Sequence, residues 1–136
     1  MVTGTAGTTA RQYPYQLVHY LRKTLAYNSP GTTVAATVGI IPNGAVIHEA
    51  LTGIIVITAF NDTGSDLVDI GTAADGDLFA TDLDVSSDGF KAMDEDVADV
   101  LMTADTTITA TYAGANADAS AGTGEVIVAF IPDNDG

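Results

Sequence analysis

The apolar positions of this chain recur mostly at every second residue, in short runs separated by glycine, proline, asparagine and aspartate. Successive side chains of a strand point to opposite faces, so a period of two marks a half-buried strand. Thr106 to Ala113 is the plainest case: Ile108, Ala110 and Tyr112 alternate with Thr107, Thr109 and Thr111, which predicts one core face and one threonine face in solvent. Tyr13 to Tyr27 carries two patterns, since Tyr13, Leu17, Leu21 and Leu25 lie four apart while Tyr15 to Tyr27 alternates. The alternation, closed by the turn Asn28-Ser29-Pro30-Gly31, predicts a strand over about 17–27.

Further strands are predicted at 33–41, 45–51, 54–60, 67–71, 78–85, 97–102 and 125–131. Pro42-Asn43-Gly44 reads as a turn and Thr52-Gly53 as a bulge or bend, while Asn61-Asp62-Thr63-Gly64 would join 54–60 to 67–71 as a hairpin. Residues 86–96 read as a polar segment turning at Ser87-Asp88-Gly89. Ile54 to Phe60 is apolar at odd and even positions alike, as expected of a sandwich centre or of a strand whose outer face meets a partner. Eight or nine evenly spaced strands with no amphipathic helix predict an all-β antiparallel sandwich of the jelly-roll type with about eight strands. The expected organisation is one domain over 17–136 behind an N-terminal arm, 1–16, whose small polar residues need a partner to order them.

Composition supports strands over helices, because Asp, Thr and Gly are plentiful where Lys, Glu and Gln are scarce. The chain has 136 residues, no cysteine, and a formal charge of −14 from 18 acids against four basic residues. One hydrophobic core without disulfides must therefore hold it together, and a surface of that charge repels nucleic acid. No apolar run has the length of a membrane span or a signal sequence, so a soluble protein made in the cytoplasm is expected. Charge is unevenly placed. Residues 1–48 carry Arg11, Arg22 and Lys23 and no acid, whereas 49–136 carry one lysine and all the acids, a balance of −17. That division fits either a solvated acidic body with a basic end or a basic arm that docks on an acidic neighbour, such as a second copy. Arg11, Tyr13, Tyr15, Arg22 and Lys23 are the candidate docking residues, because arginine and aromatic side chains are favoured at interface cores; Tyr13 and Tyr15 also fit packing under the sandwich.

Catalytic chemistry finds little support in the sequence. His19 and His48 are the only histidines, each within a strand pattern and without a nucleophile motif. Asp82, Asp84 and Asp94 could supply an acid/base pair, but acids are scattered through every loop and tryptophan platforms for a sugar are missing. Asp84 to Glu95 places oxygen ligands and a glycine at the spacing of a calcium loop, with Lys91 where an apolar anchor belongs and no flanking helix pattern. Asp75-Gly76-Asp77 is a weaker site of the same kind. The reading is of a non-enzymatic protein with no cofactor.

Four phrases carry a family resemblance: Ile41-Pro42-Asn43-Gly44-Ala45-Val46-Ile47, Thr58-Ala59-Phe60-Asn61-Asp62-Thr63-Gly64, Asp69-Ile70-Gly71-Thr72 and Asp105-Thr106-Thr107-Ile108-Thr109-Ala110. Together, over about residues 11–135, the chain resembles small virion proteins of tailed bacteriophages, particularly capsid decoration or cement proteins built on a jelly roll. The resemblance implies a protein on the outer capsid surface that bridges subunits of the major capsid protein, pairs with itself as a dimer or trimer, and resists the pressure of packaged DNA. Phage spike and fibre modules share such sandwiches, so a receptor- or glycan-binding role is the alternative it leaves.

Overall fold

A computed structural model describes residues 18–28, 35–94 and 100–133. The predicted all-β antiparallel sandwich is what forms. Nine strands run β1 (His19–Ala26), β2 (Ala36–Ile41), β3 (Val46–Ile47), β4 (Gly53–Thr58), β5 (Asp66–Thr72), β6 (Ala80–Asp84), β7 (Gly89–Ala92), β8 (Thr106–Gly114) and β9 (Thr123–Ile131). The first sheet has the order β1-β9-β4-β7 with β3 also on β9, and the second has the order β2-β8-β5-β6. The long strands β9 and β8 lie inside their sheets, beside β4 and β5, and their inward residues fill the core. Val126 and Val128 from β9 and Ile108, Ala110 and Tyr112 from β8 are buried, along with Leu25, Ile54, Val56, Val68 and Ile70.

Four sequence expectations need correction. The strand expected at 45–51 is only Val46–Ile47, followed by a single 3-10 turn over Glu49–Leu51. Both β3 and β4 lie on the same side of β9, Ile47 opposite Phe130 and Gly53 opposite Ile127, so they form one strand interrupted by extra residues. Thr52 repairs the gap: its buried hydroxyl donates to the His48 carbonyl at 2.8 Å and accepts the Ala129 N–H at 3.1 Å. The Ala129 N–H finds its partner there where the interruption breaks the ladder, while the His48 carbonyl also accepts the Leu51 N–H at 3.3 Å.

The hairpin expected between 54–60 and 67–71 does not form, because β4 and β5 belong to different sheets. The polar segment 86–96 bends at residues 86–88 as expected, with Gly89 at φ of 118°, but then continues as β7, whose Phe90 pairs with Ile55. The threonine face of β8 is not in solvent: Thr109 is buried, and Thr107 and Thr111 are half-buried. The Gly71–Asp77 loop covers part of that face, with Ala73 N–H donating to Thr107 O at 3.1 Å and Thr109 Oγ1 to Thr72 O at 3.3 Å. A Cβ on Gly71 would lie 2.2 Å from the Asp75 carbonyl oxygen, so only glycine lets the loop fold back this closely. The strand expected at 97–102 is described from Val100 onward, where Leu101 makes an isolated bridge to Val46.

Candidate interaction surface

The outer face of the first sheet is apolar. In β4 the even positions Ile54 and Val56 face the core, which leaves Ile55 and Ile57 pointing outward, 38% and 59% exposed. Register places Phe90 beside Ile55, and Tyr20 beside Ala129, on that same face. Val18, Tyr20 and Arg22 from the β1 side and Leu51, Ile55 and Phe90 from the other wall an open groove of about 420 Å³, with Ile127 and Ala129 between them. Gly53 stands in the row between Ile127 and Ala92, and a Cβ there would lie 2.1 Å from the Lys91 carbonyl oxygen, so glycine is what lets β7 close on β4.

Charge on this face is compensated internally. Arg22 Nε donates to Glu125 Oε2 at 3.0 Å, and Thr24 Oγ1 donates to Glu125 Oε1 at 2.9 Å. Among the described residues every basic side chain, Arg22, Lys23 and Lys91, lies on a first-sheet strand, where Glu125 is the sole acid. The second-sheet strands carry Asp66, Asp69, Asp82 and Asp84 and no basic residue. The sandwich is therefore polarised between its layers.

The acidic side shows the electrostatic cost of that arrangement. Asp69 is pushed up by partial burial and by the charges of Asp82, Asp77 and Asp94, against the lowering effect of the Asp82 N–H that it accepts at 2.7 Å. Asp82 has φ of 57° at a bulge where two β6 residues oppose Asp69 alone, a conformation aspartate tolerates better than most residues. Asp75 is raised by its side-chain hydrogen bond with Asp77, with burial and the Asp77 charge acting the same way. Asp84 is lowered by the Ser86 hydroxyl and N–H, at 2.6 and 2.9 Å.

Of the predicted docking residues, Arg22 lies on the groove wall and Lys23 is exposed on β1, while Arg11, Tyr13 and Tyr15 fall outside the described residues, as does Glu95 of the calcium-type loop. Gly89–Ala92, the middle of that loop, is strand β7, and Lys91 Nζ donates to Ser87 Oγ at 2.9 Å. Asp94 accepts the Thr81 N–H. His19 packs on Phe130 with ring centroids 5.9 Å apart, and His48 precedes the 3-10 turn with Nδ1 buried and without a hydrogen-bond partner. Among the described residues no three His, Cys, Asp or Glu side chains gather as metal ligands would.

No protein-family model and no curated protein sequence matches the chain. Solved structures do. The chain superposes on one in the acidic stable capsid structure of Helicobacter pylori bacteriophage KHP30 with a TM-score of 0.63 and 16% identity, covering 84% of this chain and 86% of that one. It superposes on a chain of the cyanophage Pam1 capsid asymmetric unit with the same TM-score and identity, covering 96% and 98%. The fold is shared with phage capsid chains. At this level of identity the likeness is one of architecture, and it extends along nearly the whole length of both partners.

Sequence patterning did not reveal the polar lock that ties two loops at one end of the sandwich. Asp62, buried in the turn after β4, accepts the N–H groups of Gly64 at 2.8 Å, Asn116 at 3.0 Å and Asp118 at 3.1 Å. Burial alone would raise its pKa, but these hydrogen bonds outweigh it and hold the carboxyl below its ordinary value. Asp66 accepts the Asp62 N–H at 3.1 Å and the Tyr112 hydroxyl at 2.5 Å. Burial and that acidic partner push the Tyr112 phenol up. The only signal in the sequence was the Asn-Asp-Thr-Gly turn itself, an Asx-type turn whose distant partners patterning cannot name.

Proposed function

We propose that this chain is a non-enzymatic capsid decoration, or cement, protein that binds the shell of major capsid protein from outside and stiffens it. The observation that carries this reading is the likeness to a chain of the Pam1 capsid asymmetric unit, which covers 98% of that chain. The likeness takes in nearly all of both chains and so rests on the sandwich as a whole. The interleaved orders β1-β9-β4-β7 and β2-β8-β5-β6 support the jelly-roll reading of the sandwich, an architecture used in virus capsids. A joining protein needs a rigid body, which the long antiparallel ladders supply, and a face that leaves water on assembly, which the first sheet offers.

The chemistry of the described residues suits binding better than turnover. Neither histidine belongs to a nucleophile motif in the sequence, and Asp62, Asp66, Asp84 and Glu125 serve the polar lock, a turn and an ion pair. The protein would be made in the host cytoplasm and reside on the outer capsid surface. Particles assembled without it test this: they should release their DNA at a temperature several degrees lower than complete particles, and adding the purified protein back should restore the difference. Equal heat survival of the two particle types would overturn the proposal.

A further inference from the structure

We infer that the Asp75-Gly76 peptide is a site of spontaneous modification, where Asp75 isomerises to isoaspartate through a cyclic imide and the loop between β5 and β6 lifts from the second sheet. Aspartate or asparagine before glycine is the sequence in which a backbone nitrogen most readily reaches the side-chain carbonyl, because glycine adds no bulk at the attacking residue. Three such pairs occur among the described residues: Asn43-Gly44, Asp75-Gly76 and Asp88-Gly89. Folding treats them differently. The Gly44 N–H is held by Met102 O at 2.8 Å, and Gly89 lies in β7 opposite Val56. Among the described residues the Gly76 N–H donates no hydrogen bond, and a Cβ on Gly76 would meet nothing within 4 Å.

Both reacting groups of this peptide are activated. The Asp75 carbonyl oxygen accepts the Thr72 N–H at 2.7 Å and the Leu78 N–H at 3.3 Å, which polarises the amide and eases proton loss from the free Gly76 nitrogen. The Asp75 carboxyl is hydrogen-bonded to that of Asp77, which holds a proton on the pair and raises Asp75 above its ordinary value. The protonated acid can expel water, whereas the carboxylate has no such leaving group. The Gly76 nitrogen attacks Asp75 Cγ, the bond from Cγ to the carboxyl hydroxyl breaks, and that hydroxyl leaves as water with the amide proton. Water then adds to the backbone carbonyl carbon of Asp75 and opens its bond to the Gly76 nitrogen. The chain now runs through Cγ, and a new carboxylate hangs from Cα. One water leaves and one enters, so the mass is unchanged and no oxidant or cofactor takes part. The backbone gains a methylene where there is no room for one. A Cβ on Gly71 would already lie 2.2 Å from the Asp75 carbonyl oxygen, 2.4 Å from the Gly76 carbonyl carbon and 2.7 Å from the Asp77 nitrogen. The lengthened loop must move outward and release the hydrogen bond from Ala73 N–H to Thr107 O.

The folded full chain, kept for weeks at 37 °C and about pH 6, tests this by peptide mapping with isoaspartate counted by enzymatic methyl transfer. Isoaspartate at residue 75 should exceed that at residues 43 and 88 at least fivefold. In guanidinium chloride, where folding no longer shields the Gly44 nitrogen, residue 43 should lead instead. Gly76→Ala, whose methyl meets no neighbour, should cut formation at residue 75 at least fivefold. Asp77→Asn, which puts an amide in place of the acid partner, should cut it at least threefold, with circular dichroism of both variants that of the folded sandwich. Amide exchange at Ala73 should quicken at least tenfold in the isomerised fraction. Equal isoaspartate at residues 75 and 88 in the folded chain would overturn the inference, as would undiminished formation in Asp77→Asn. Should that variant unfold, the folded and unfolded wild type still decide. The inference goes beyond the decoration role, and none of these outcomes bears on particle heat survival.

Discussion

Thr52 and Tyr112 carry more structural consequence than their residue types suggest. Thr52→Val keeps the shape but leaves the Ala129 N–H and the His48 carbonyl without their side-chain partner in a buried site, and should cost about 2 kcal/mol in chemical denaturation; Thr52→Ser should recover most of it. Tyr112→Phe removes the hydroxyl that Asp66 accepts while keeping the ring against Phe60, with centroids 4.6 Å apart. That substitution should cost about 1–3 kcal/mol, because the buried carboxylate loses a donor. Asp69→Asn acts in the opposite direction. The amide oxygen can still accept the Asp82 N–H while the repulsion from Asp82, Asp77 and Asp94 disappears. At pH 7 the melting temperature should rise by about a degree or two, and the gain should vanish near pH 3.5, where both forms are neutral.

At the level of elements, the expected docking residues divide between the arm, 1–16, and the sandwich. Two of the three basic residues assigned to a docking segment, Arg22 and Lys23, belong to β1, which is paired with β9 along its length. Removing residues 1–23 would take most of β1, including Leu21 packed against the core, and expose the β9 ladder. The deletion that removes the expected arm alone ends at Gln16. That truncated chain should melt within about 2 °C of the full one yet occupy particles less completely; full occupancy would remove Arg11, Tyr13 and Tyr15 from the docking account. The strand β7 teaches the same lesson in reverse. Its four residues carry a weak pattern of their own and become a strand because β4 offers an unpaired edge.

For the whole molecule, the layered charge sets how stability follows pH. Asp62 and Asp84 have lowered pKa values, so the stability they contribute is present above the ordinary carboxylate range of ~3.9 and is lost as pH falls through their folded values. Asp69 and Asp75 have raised values, so their contribution is complete at low pH and is lost as pH rises through their folded values. Acidification from pH 7 also relieves repulsion across a −14 surface. The melting temperature should therefore be highest near pH 4–5, falling towards pH 7 on one side and below about pH 3.5 on the other. A flat profile from pH 4 to 7 by differential scanning calorimetry would show that Asp69 and Asp75 do not contribute as described.

The sequence by itself determined the fold class and most of the strands, because a period of two between turn residues is a local property that burial on one face enforces. It also marked Ile54 to Phe60 as apolar on both faces, half of the candidate surface. Which strands pair was decided only in three dimensions. The Asn61–Gly64 turn has the composition of a hairpin, yet it carries the chain from one sheet to the other, because pairing depends on edges formed by residues far away in sequence. The same holds for charge: along the chain it divides into a basic start and an acidic remainder, and folding resolves it into one nearly neutral layer and one acidic layer. The groove between Tyr20 and Phe90 has no local signature, since its two walls lie 70 residues apart and meet only because β9 enters between β1 and β4.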